Sequence, residues 1–310
     1  MKKISIVIPV YNEEKNVPTA YAAIKSVLEG LSDAYDFEIV FTDNHSTDRS
    51  FALLRDIALK DSKVKVARFS RNFGYQKSIY TGYSLSTGDI VIQLDCDLQD
   101  PPALIPEFLR KWQEGYLVVF GVRKTRSEGP IITAARKVFY RLINFLSEDE
   151  LPHDAGDFRL VDRRVVDELK RIYDSSPYLR GTIASLGFNQ VGIPYDRLER
   201  TQGDSKFNFS SLFSLALDGI VNHSVVPLRL ASYTGIFTFI AALVLMLGYT
   251  AGKILLGKHW PAGFTTTTTL ILLSLSLNAL FMGIIGEYLG RIFLQVKRRP
   301  ITIIEESFNL

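Results

Sequence analysis

The sequence predicts an α/β domain with a mostly parallel β-sheet, followed by two helices long enough to span a membrane. Three observations support this fold class. Before residue 200, short apolar segments alternate with helical patterns, as in parallel sheets covered by helices. Polar and acidic residues follow several of the apolar segments directly. Beyond about Val225 the composition changes, and two long segments without charged residues follow.

Composition limits the classes of function. The 310 residues have room for a catalytic domain and an appendage. A net charge of +3, without a basic segment interleaved with aromatic residues, argues against a nucleic-acid partner. The single cysteine excludes an intrachain disulfide, and the four histidines lack the spacing of a zinc site. The first apolar segment is too short for a signal peptide and is predicted to be a buried strand.

Five predicted strands and three predicted helices make up the first part of the chain. The strands are Ile4 to Val10, Phe37 to Thr42, Val64 to Phe69, Ile90 to Asp95 and Leu117 to Val122. The helices are Asn16 to Gly30, Ser50 to Lys60 and Gln76 to Ser86. In open sheets of this type, ligands bind in the loops that leave the carboxyl ends of the strands.

Three of these loops contain unusual clusters of polar residues: Pro9 to Glu14, Thr42 to Asp48 and Asp95 to Pro102. Two carboxylates one residue apart, Asp95 and Asp97, follow the fourth strand and can share a divalent cation with a substrate diphosphate. An Asp-x-Asp sequence also arises by chance in solvated turns. Because three such loops are predicted at one sheet edge, the ligand-binding interpretation is favoured.

Four motifs carry a resemblance to a known family. They are Ile8-Pro9-Val10-Tyr11-Asn12-Glu13-Glu14, Asp43 with Ser46-Thr47-Asp48, Asp95-Cys96-Asp97-Leu98-Gln99-Asp100-Pro101-Pro102, and Asp154-Ala155-Gly156-Asp157-Phe158-Arg159-Leu160. With them the chain resembles the family 2 glycosyltransferases of the Rossmann-like GT-A fold. Within that family it resembles the polyprenyl-phosphate glycosyltransferases, the group that contains bactoprenol glucosyltransferase and dolichyl-phosphate mannose synthase. The Gln-x-x-Arg-Trp motif of processive polysaccharide synthases does not occur, which favours transfer of a single sugar.

The resemblance implies a donor site and a metal site. The nucleotide-binding residues it implies are Pro9, Tyr11, Glu13 and Asp43. The ligands of Mg²⁺ or Mn²⁺ that it implies are Asp95, Asp97 and Gln99. For Glu13 and its neighbour Glu14, an alternative is a charged first helical turn that interacts with the helix dipole. The family's usual Asp-Asp-Gly-Ser-Thr-Asp is Asp43-Asn44-His45-Ser46-Thr47-Asp48 here, and this departure leaves base specificity open.

The resemblance also implies residues for catalysis and for the acceptor. Asp157 matches the family's catalytic base. Because a phosphomonoester with a second pKa of about 6 is already largely ionised at neutral pH, Asp157 is expected to orient the acceptor or stabilise positive charge on the sugar. For the acceptor phosphate the resemblance implies Arg123 and Arg136. From their position on either side of the turn 202–205, Arg200 and Lys206 are predicted to contact the donor diphosphate. Cys96 is interpreted as a small buried residue without a catalytic role.

The predicted domain boundaries follow the change in composition. Residues 1–205 form the catalytic domain, residues 206–228 form amphipathic helices in the membrane interface, and residues 229–290 hold two spans at about 230–252 and 264–286. Residues 291–310 are a cytoplasmic tail. Basic residues outside the spans favour both ends in the cytoplasm. The alternatives are buried core helices for the spans and an ordinary core helix of the soluble domain for residues 206–228.

The expected function is inverting transfer of one hexose to polyprenyl (undecaprenyl) phosphate at the cytoplasmic face of the bacterial inner membrane. UDP-glucose is the favoured donor, and other nucleotide sugars stay open. The alternatives are a glycosyltransferase that acts on a diacylglycerol or a growing glycan, and a catalytically dead membrane scaffold. A homo-oligomer is expected, since small residues along the first span permit close helix contacts. Two spans are too few for export by the monomer, so a flippase would be a separate downstream partner.

Overall fold

The computed structural model describes residues 1–123, 155–175, 177–196 and 263–310, together with some residues between 228 and 251. Within these residues, eight strands form one sheet in the order β7-β5-β6-β4-β1-β2-β3-β8. The strands are β1 (Lys2–Val10), β2 (Tyr35–Asp43), β3 (Val64–Phe69), β4 (Ile90–Gln93), β5 (Val118–Arg123), β6 (Ala155–Asp162), β7 (Gln190–Tyr195) and β8 (Ile304–Phe308). The helices are α1 (Val17–Glu29), α2 (Ser50–Lys60), α3 (Tyr75–Leu85), α4 (Ile105–Gln113), α5 (Arg163–Arg171), α6 (Leu179–Ser185) and α7 (Phe264–Val296), with a 3₁₀ turn at Pro102–Leu104.

The sheet is mostly parallel, as the sequence predicts. β1 pairs in parallel with β2 and β4, β2 with β3, and β5 with β7. β6 is antiparallel to β4 and β5, and β8 is antiparallel to β3. The five predicted strands and three predicted helices are confirmed. The fourth strand is shorter than predicted, because it ends at Gln93 and leaves Asp95 in the following loop.

The core occupies both faces of the sheet. On β1, Ile4, Ile6 and Ile8 belong to one buried cluster, and Val7 belongs to the cluster on the opposite face. Burial on both faces explains why the central strands are continuous apolar segments rather than alternating ones. Helix α3 packs especially closely on β1, since a Cβ atom at Gly82 would lie 2.2 Å from Val7 Cγ1. This packing positions the first residue of α3 near the loop that follows β4.

Helix α7 contains the one candidate membrane span found among the described residues, Leu273–Val296, which is 24 residues long. The predicted second span, 264–286, lies within α7, and the helix continues beyond it to Val296. An ion pair one helical turn apart, Glu287 to Arg291 at 3.0 Å, compensates the charges in this continuation. Part of the predicted first span and nearly all of the amphipathic segment 206–228 lie outside the described residues. Of the two predicted spans, one therefore corresponds to a helix with a candidate membrane span.

The last residues of the chain form an edge strand that the sequence analysis does not predict. β8 pairs with β3, and the backbone N–H of Ser70 donates to Ile303 O at 3.0 Å. The Asn309 side-chain amide then donates to Ala58 O and Val64 O, both at 2.8 Å. The residues after α7 therefore return to the α/β domain and extend its sheet.

Candidate active site

The loops after β1 and β2 are joined by hydrogen bonds around Asn12. The Asn12 N–H donates to Ser46 Oγ at 3.0 Å, and the Thr47 N–H donates to Asn12 Oδ1 at 2.8 Å. Asn12 has a φ of 56°, a left-handed conformation that asparagine tolerates better than most residues. Two loops that carry predicted nucleotide-binding residues are thus held together as one surface.

The two glutamates of the first loop lie before helix α1, which begins at Val17. The Glu13 N–H donates to Ser50 Oγ at 2.8 Å, and Glu14 Oε2 accepts from the Arg49 N–H at 3.1 Å. The first turn of α1 contains no acidic residue. The alternative of a charged first helical turn is therefore wrong for these residues, which instead connect the loop to the start of α2.

Asp43 ends β2 and its side chain is fully buried. Its carboxylate accepts from the Ser46 N–H at 3.2 Å, and Arg68 Nε lies 3.8 Å from Oδ2. Burial raises the pKa of the Asp43 carboxyl group, and these partners offset only part of that effect. Val10 is the register partner of Asp43, so Pro9 and the 41% exposed Tyr11 flank it on the neighbouring strand end. The structure brings these three predicted residues together.

The departure from the family pattern at residues 44 and 45 has a structural role. The Asn44 side chain donates to Asn72 Oδ1 at 2.9 Å and accepts from the Phe73 N–H at 2.8 Å, which connects the second loop to the loop after β3. His45 adopts a φ of 63°, the left-handed conformation for which the family's glycine is suited. Its Nδ1 lies 2.9 Å from Phe69 O, so a proton on this nitrogen can be donated to the carbonyl.

Asp95 and Asp97 lie in the loop after β4. Asp95 Oδ1 accepts from the Tyr75 hydroxyl at 2.6 Å and from Gln93 Nε2 at 3.0 Å. Burial, together with the nearby carboxylates of Asp100, Asp157 and Asp97, raises the pKa of Asp95 to about 7. Asp97 Oδ1 accepts from the Gln99 N–H at 3.2 Å.

These residues fit a hard divalent cation. The available ligands are carboxylate oxygens, and the buried Gln93 Oε1 close to them has no hydrogen-bond partner. Crowded acidic groups of this kind are stabilised by a cation. In the part of the chain that the structure describes, no three or more His, Cys, Asp or Glu side chains form a complete metal site. Asp95 and Asp97 are the residues that would hold such a cation.

Asp157 lies on β6 and its side chain is 18% exposed. Arg180, on α6, donates to Asp157 Oδ2 at 3.0 Å. Burial would raise the pKa of Asp157, but the positive charges of Arg180 and the buried Arg159 outweigh it and lower the pKa below the usual value. Asp157 is therefore ionised at neutral pH.

Arg123 is the last residue of β5 and lies close to β6, the strand that carries Asp157. Its Nε donates to the Tyr195 hydroxyl at 3.4 Å, and its Nη2 lies 3.7 Å from Asp100 Oδ2. Tyr195 in turn donates to the buried Asp100, and burial and this carboxylate raise the pKa of Tyr195 to about 12. A Cβ atom at Gly156 would lie 3.5 Å from Arg123 Nη2, so the guanidinium lies beside the residue that precedes Asp157.

The other predicted phosphate-binding residues, Arg136, Arg200 and Lys206, lie outside the described residues. Sequence reasoning missed Tyr75 and Arg180 as site residues. Both come from helices, and no local motif marks them. Asp100 lies within a quoted motif, but no sequence pattern indicates that its buried carboxylate lies beside Arg123.

Comparison with known proteins shows the family. The model of glycosyl transferase family 2 matches residues 5–170. An uncharacterised glycosyltransferase of Bacillus subtilis, YkcC, is 38% identical over 99% of this chain and 94% of its own length. A prophage-derived bactoprenol glucosyl transferase of Shigella flexneri is 35% identical over 98% of each chain.

A solved structure shares the fold. The mannosyltransferase PcManGT of Pyrobaculum calidifontis, in complex with GDP-Man and Mn²⁺, matches with a TM-score of 0.51 and 15% identity over 96% of this chain and 86% of its own. The architecture is thus GT-A-like, with a mostly parallel sheet. Since the family model covers more than half of the chain and the relatives nearly all of it, the protein belongs to glycosyl transferase family 2 and is a glycosyltransferase.

Proposed function

We propose that this glycosyltransferase moves one hexose, with inversion, from a nucleoside diphosphate sugar to polyprenyl phosphate at the cytoplasmic face of the membrane. UDP-glucose is the favoured donor. The observation that carries the proposal is the position of Asp157 on β6. It is held by Arg180 and lies two residues before Arg159, which pairs with Gln93 at the end of β4, and the chain also holds a candidate membrane span. A similar protein named bactoprenol glucosyl transferase supports a lipid acceptor.

The donor end of the site is formed by the loops after β1, β2 and β4. Asp43 is a buried acceptor suited to a hydroxyl or N–H group of the nucleoside, and Tyr11 and Glu13 lie on the adjoining loop. Asp95 and Asp97 would hold Mg²⁺ or Mn²⁺. When bound, the cation supplies positive charge that stabilises the departing nucleoside diphosphate. PcManGT, which shares the fold, is described in complex with a nucleotide sugar and Mn²⁺.

The chemistry is a direct displacement at the anomeric carbon. An oxygen of the acceptor phosphate forms the new bond to this carbon while the bond to the donor diphosphate breaks, which inverts the configuration. Because the acceptor is already ionised at neutral pH, no base is needed to activate it. Asp157, ionised and held by Arg180, stabilises the positive charge that develops on the sugar, and orienting the acceptor is its alternative role.

The acceptor end of the site lies beside Arg123. Asp100 and Tyr195 fix its guanidinium next to Gly156, where a planar donor group can bind phosphate oxygens. Arg136, Arg200 and Lys206 stay predictions for the phosphate groups.

The membrane helix contacts this domain at its carboxyl end. Gln295 Oε1 accepts from the Ser175 N–H at 3.0 Å, and the Tyr173 hydroxyl donates to Arg299 O at 2.7 Å. These contacts hold the catalytic domain at the end of α7, where a lipid phosphate would be presented.

The test uses full-length protein in detergent with undecaprenyl phosphate, Mn²⁺ and a panel of nucleotide sugars. Mass spectrometry of the lipid fraction is expected to show one added hexose with one donor. The product should disappear in Asp97→Ala and with a chelator. The matched control is Asp33→Ala, an exposed aspartate that precedes the first residue of β2, at the end of this strand opposite to the site loop, which should behave as wild type.

Other outcomes separate the alternatives. Metal-dependent donor hydrolysis without a lipid product would retain the transferase and discard the acceptor, which would favour a diacylglycerol or a glycan. Absence of turnover with every donor would favour the membrane scaffold.

A further inference from the structure

The C-terminal strand β8 lies against the nucleotide end of the site. Glu305 Oε2 lies 3.7 Å from Arg68 Nε and 3.6 Å from His45 Nδ1. Arg68 Nε also lies 3.8 Å from Oδ2 of the buried Asp43. The cationic Arg68 is therefore shared between a carboxylate of the donor site and a carboxylate from the end of the chain.

Neither carboxylate forms a hydrogen bond with Arg68 Nε. Its Nε is buried, has no hydrogen-bond partner and lies at nearly equal distances from the two acids. The guanidinium is further restrained by the Phe51 ring, whose centroid lies 4.2 Å from Arg68 Cζ. Phe51 in turn contacts Phe308 of β8, with ring centroids 6.3 Å apart. β8 thus restrains Arg68 directly through Glu305 and indirectly through Phe308.

We propose that Glu305 is a positioning residue for the donor site: it holds Arg68 back from Asp43, so that the Asp43 carboxylate stays available to the nucleoside. This inference rests on the proposed function, because it takes Asp43 as a nucleoside-binding residue. Without the negative charge of Glu305, Arg68 moves toward the remaining acid and forms a charge-assisted hydrogen bond with it. That bond occupies an acceptor oxygen that the nucleoside needs, and donor affinity falls.

Glu305 also contacts His45, and this contact helps to keep the Asp43 loop in its conformation. His45 lies two residues after Asp43 and holds a left-handed backbone conformation that costs a residue with a Cβ more than it costs glycine. Its ring is placed by Phe69 O and Glu305 together. Glu305 therefore restrains two side chains next to Asp43, those of Arg68 and His45.

The experiment measures binding of UDP, and of GDP if UDP does not bind, to full-length protein with Mn²⁺ by isothermal titration calorimetry. Glu305→Gln is expected to raise the dissociation constant about fivefold, with kcat at saturating donor and the KM of the lipid acceptor within twofold of wild type. Glu168→Gln is the matched control, since it also neutralises a glutamate that pairs with an arginine, Arg171, on the helix after β6, and it should leave donor binding unchanged.

A second variant separates positioning from strand stability. In an Arg68→Gln background there is no guanidinium to be captured, so Glu305→Gln should change the dissociation constant by less than twofold. An equal loss of affinity in both backgrounds would overturn the inference, because it would show that the substitution only weakens the packing of β8. Unchanged UDP or GDP binding in the single Glu305→Gln variant would overturn it as well. A wild-type protein that binds neither nucleotide would overturn the proposed function itself.

Discussion

Two aspartates of the proposed site, the fully buried Asp43 and the mostly buried Asp157, have arginine neighbours, yet their pKa values shift in opposite directions. Asp43, at the donor end, has Arg68 Nε at 3.8 Å, and burial raises its pKa. Asp157, toward the acceptor end, receives a hydrogen bond from Arg180 at 3.0 Å and has Arg159 nearby. There burial is outweighed and the pKa is lowered. An arginine thus compensates a buried carboxylate fully only when it makes a direct hydrogen bond or is joined by a second cation.

The opposite shifts have opposite consequences for stability. Because the pKa of Asp157 in the folded protein lies below its usual value of 3.8, its contribution to stability is present above that value and is lost as the pH falls through the folded pKa. For Asp43, whose folded pKa is raised, the contribution is fully present below 3.8 and is lost as the pH rises through the folded pKa. Ionisation of the buried Asp43 therefore costs stability, as expected of a residue that is retained for the proposed binding role.

Asp157→Asn should produce the largest effect at the acceptor end. Because the amide cannot stabilise positive charge on the sugar, we expect kcat to fall by about 10² to 10³-fold while the donor dissociation constant stays within twofold. Turnover by mass spectrometry and UDP binding by calorimetry measure the two quantities. Asp167→Asn, an exposed aspartate on the helix after β6, is the control. Equal losses in donor binding and turnover would place Asp157 in the donor site instead.

Removing the arginine should make Asp157 resemble Asp43. In Arg180→Gln, burial is less opposed, so the pKa of Asp157 rises and a larger fraction is protonated at low pH. We expect kcat/KM to acquire an acidic limb at higher pH than in the wild type, which approaches a tenfold fall per pH unit and recovers as the pH rises. Arg180→Lys should restore much of the flat profile. The control, Arg171→Gln, removes an exposed ion pair with Glu168 and should leave the profile flat.

Asp43→Asn should have a smaller and different effect. We expect the UDP dissociation constant to rise about tenfold, or about 1.4 kcal/mol, with kcat at saturating donor reduced less than threefold. The thermal midpoint of this variant relative to wild type should improve as the pH rises from about 4 to 7, since the variant lacks the buried charge. A fall in kcat with unchanged UDP affinity would contradict a nucleoside-binding role.

The placement of the residues at the proposed donor end could be predicted from sequence more completely than that of the other site residues. Asp43 and Asp95 follow continuous apolar segments, and strands of that kind place the next residues at the carboxyl edge of a parallel sheet. Tyr75 is the first residue of α3, and Arg180 is the second residue of α6. Tertiary packing brings these helix ends to the edge of the sheet, and no local sequence pattern encodes that packing. β8 escaped prediction because it is short, largely exposed, and pairs with a strand more than two hundred residues earlier.

Of these substitutions, Gly156→Ala should have the smallest effect. It tests how closely the substrate approaches the backbone of β6. The added Cβ would lie 3.5 Å from Arg123 Nη2, an ordinary van der Waals contact, so the thermal midpoint should change by less than about 1 °C. We expect kcat/KM to fall about threefold, because the methyl group intrudes where the sugar and the acceptor phosphate meet. As a contrast, Gly121→Ala places a Cβ 2.6 Å from Tyr195 Cε1 and should lower the thermal midpoint clearly. A loss of stability in Gly156→Ala equal to that in Gly121→Ala would show that the glycine serves packing around Arg123, whereas unchanged turnover would place the sugar away from this edge of β6.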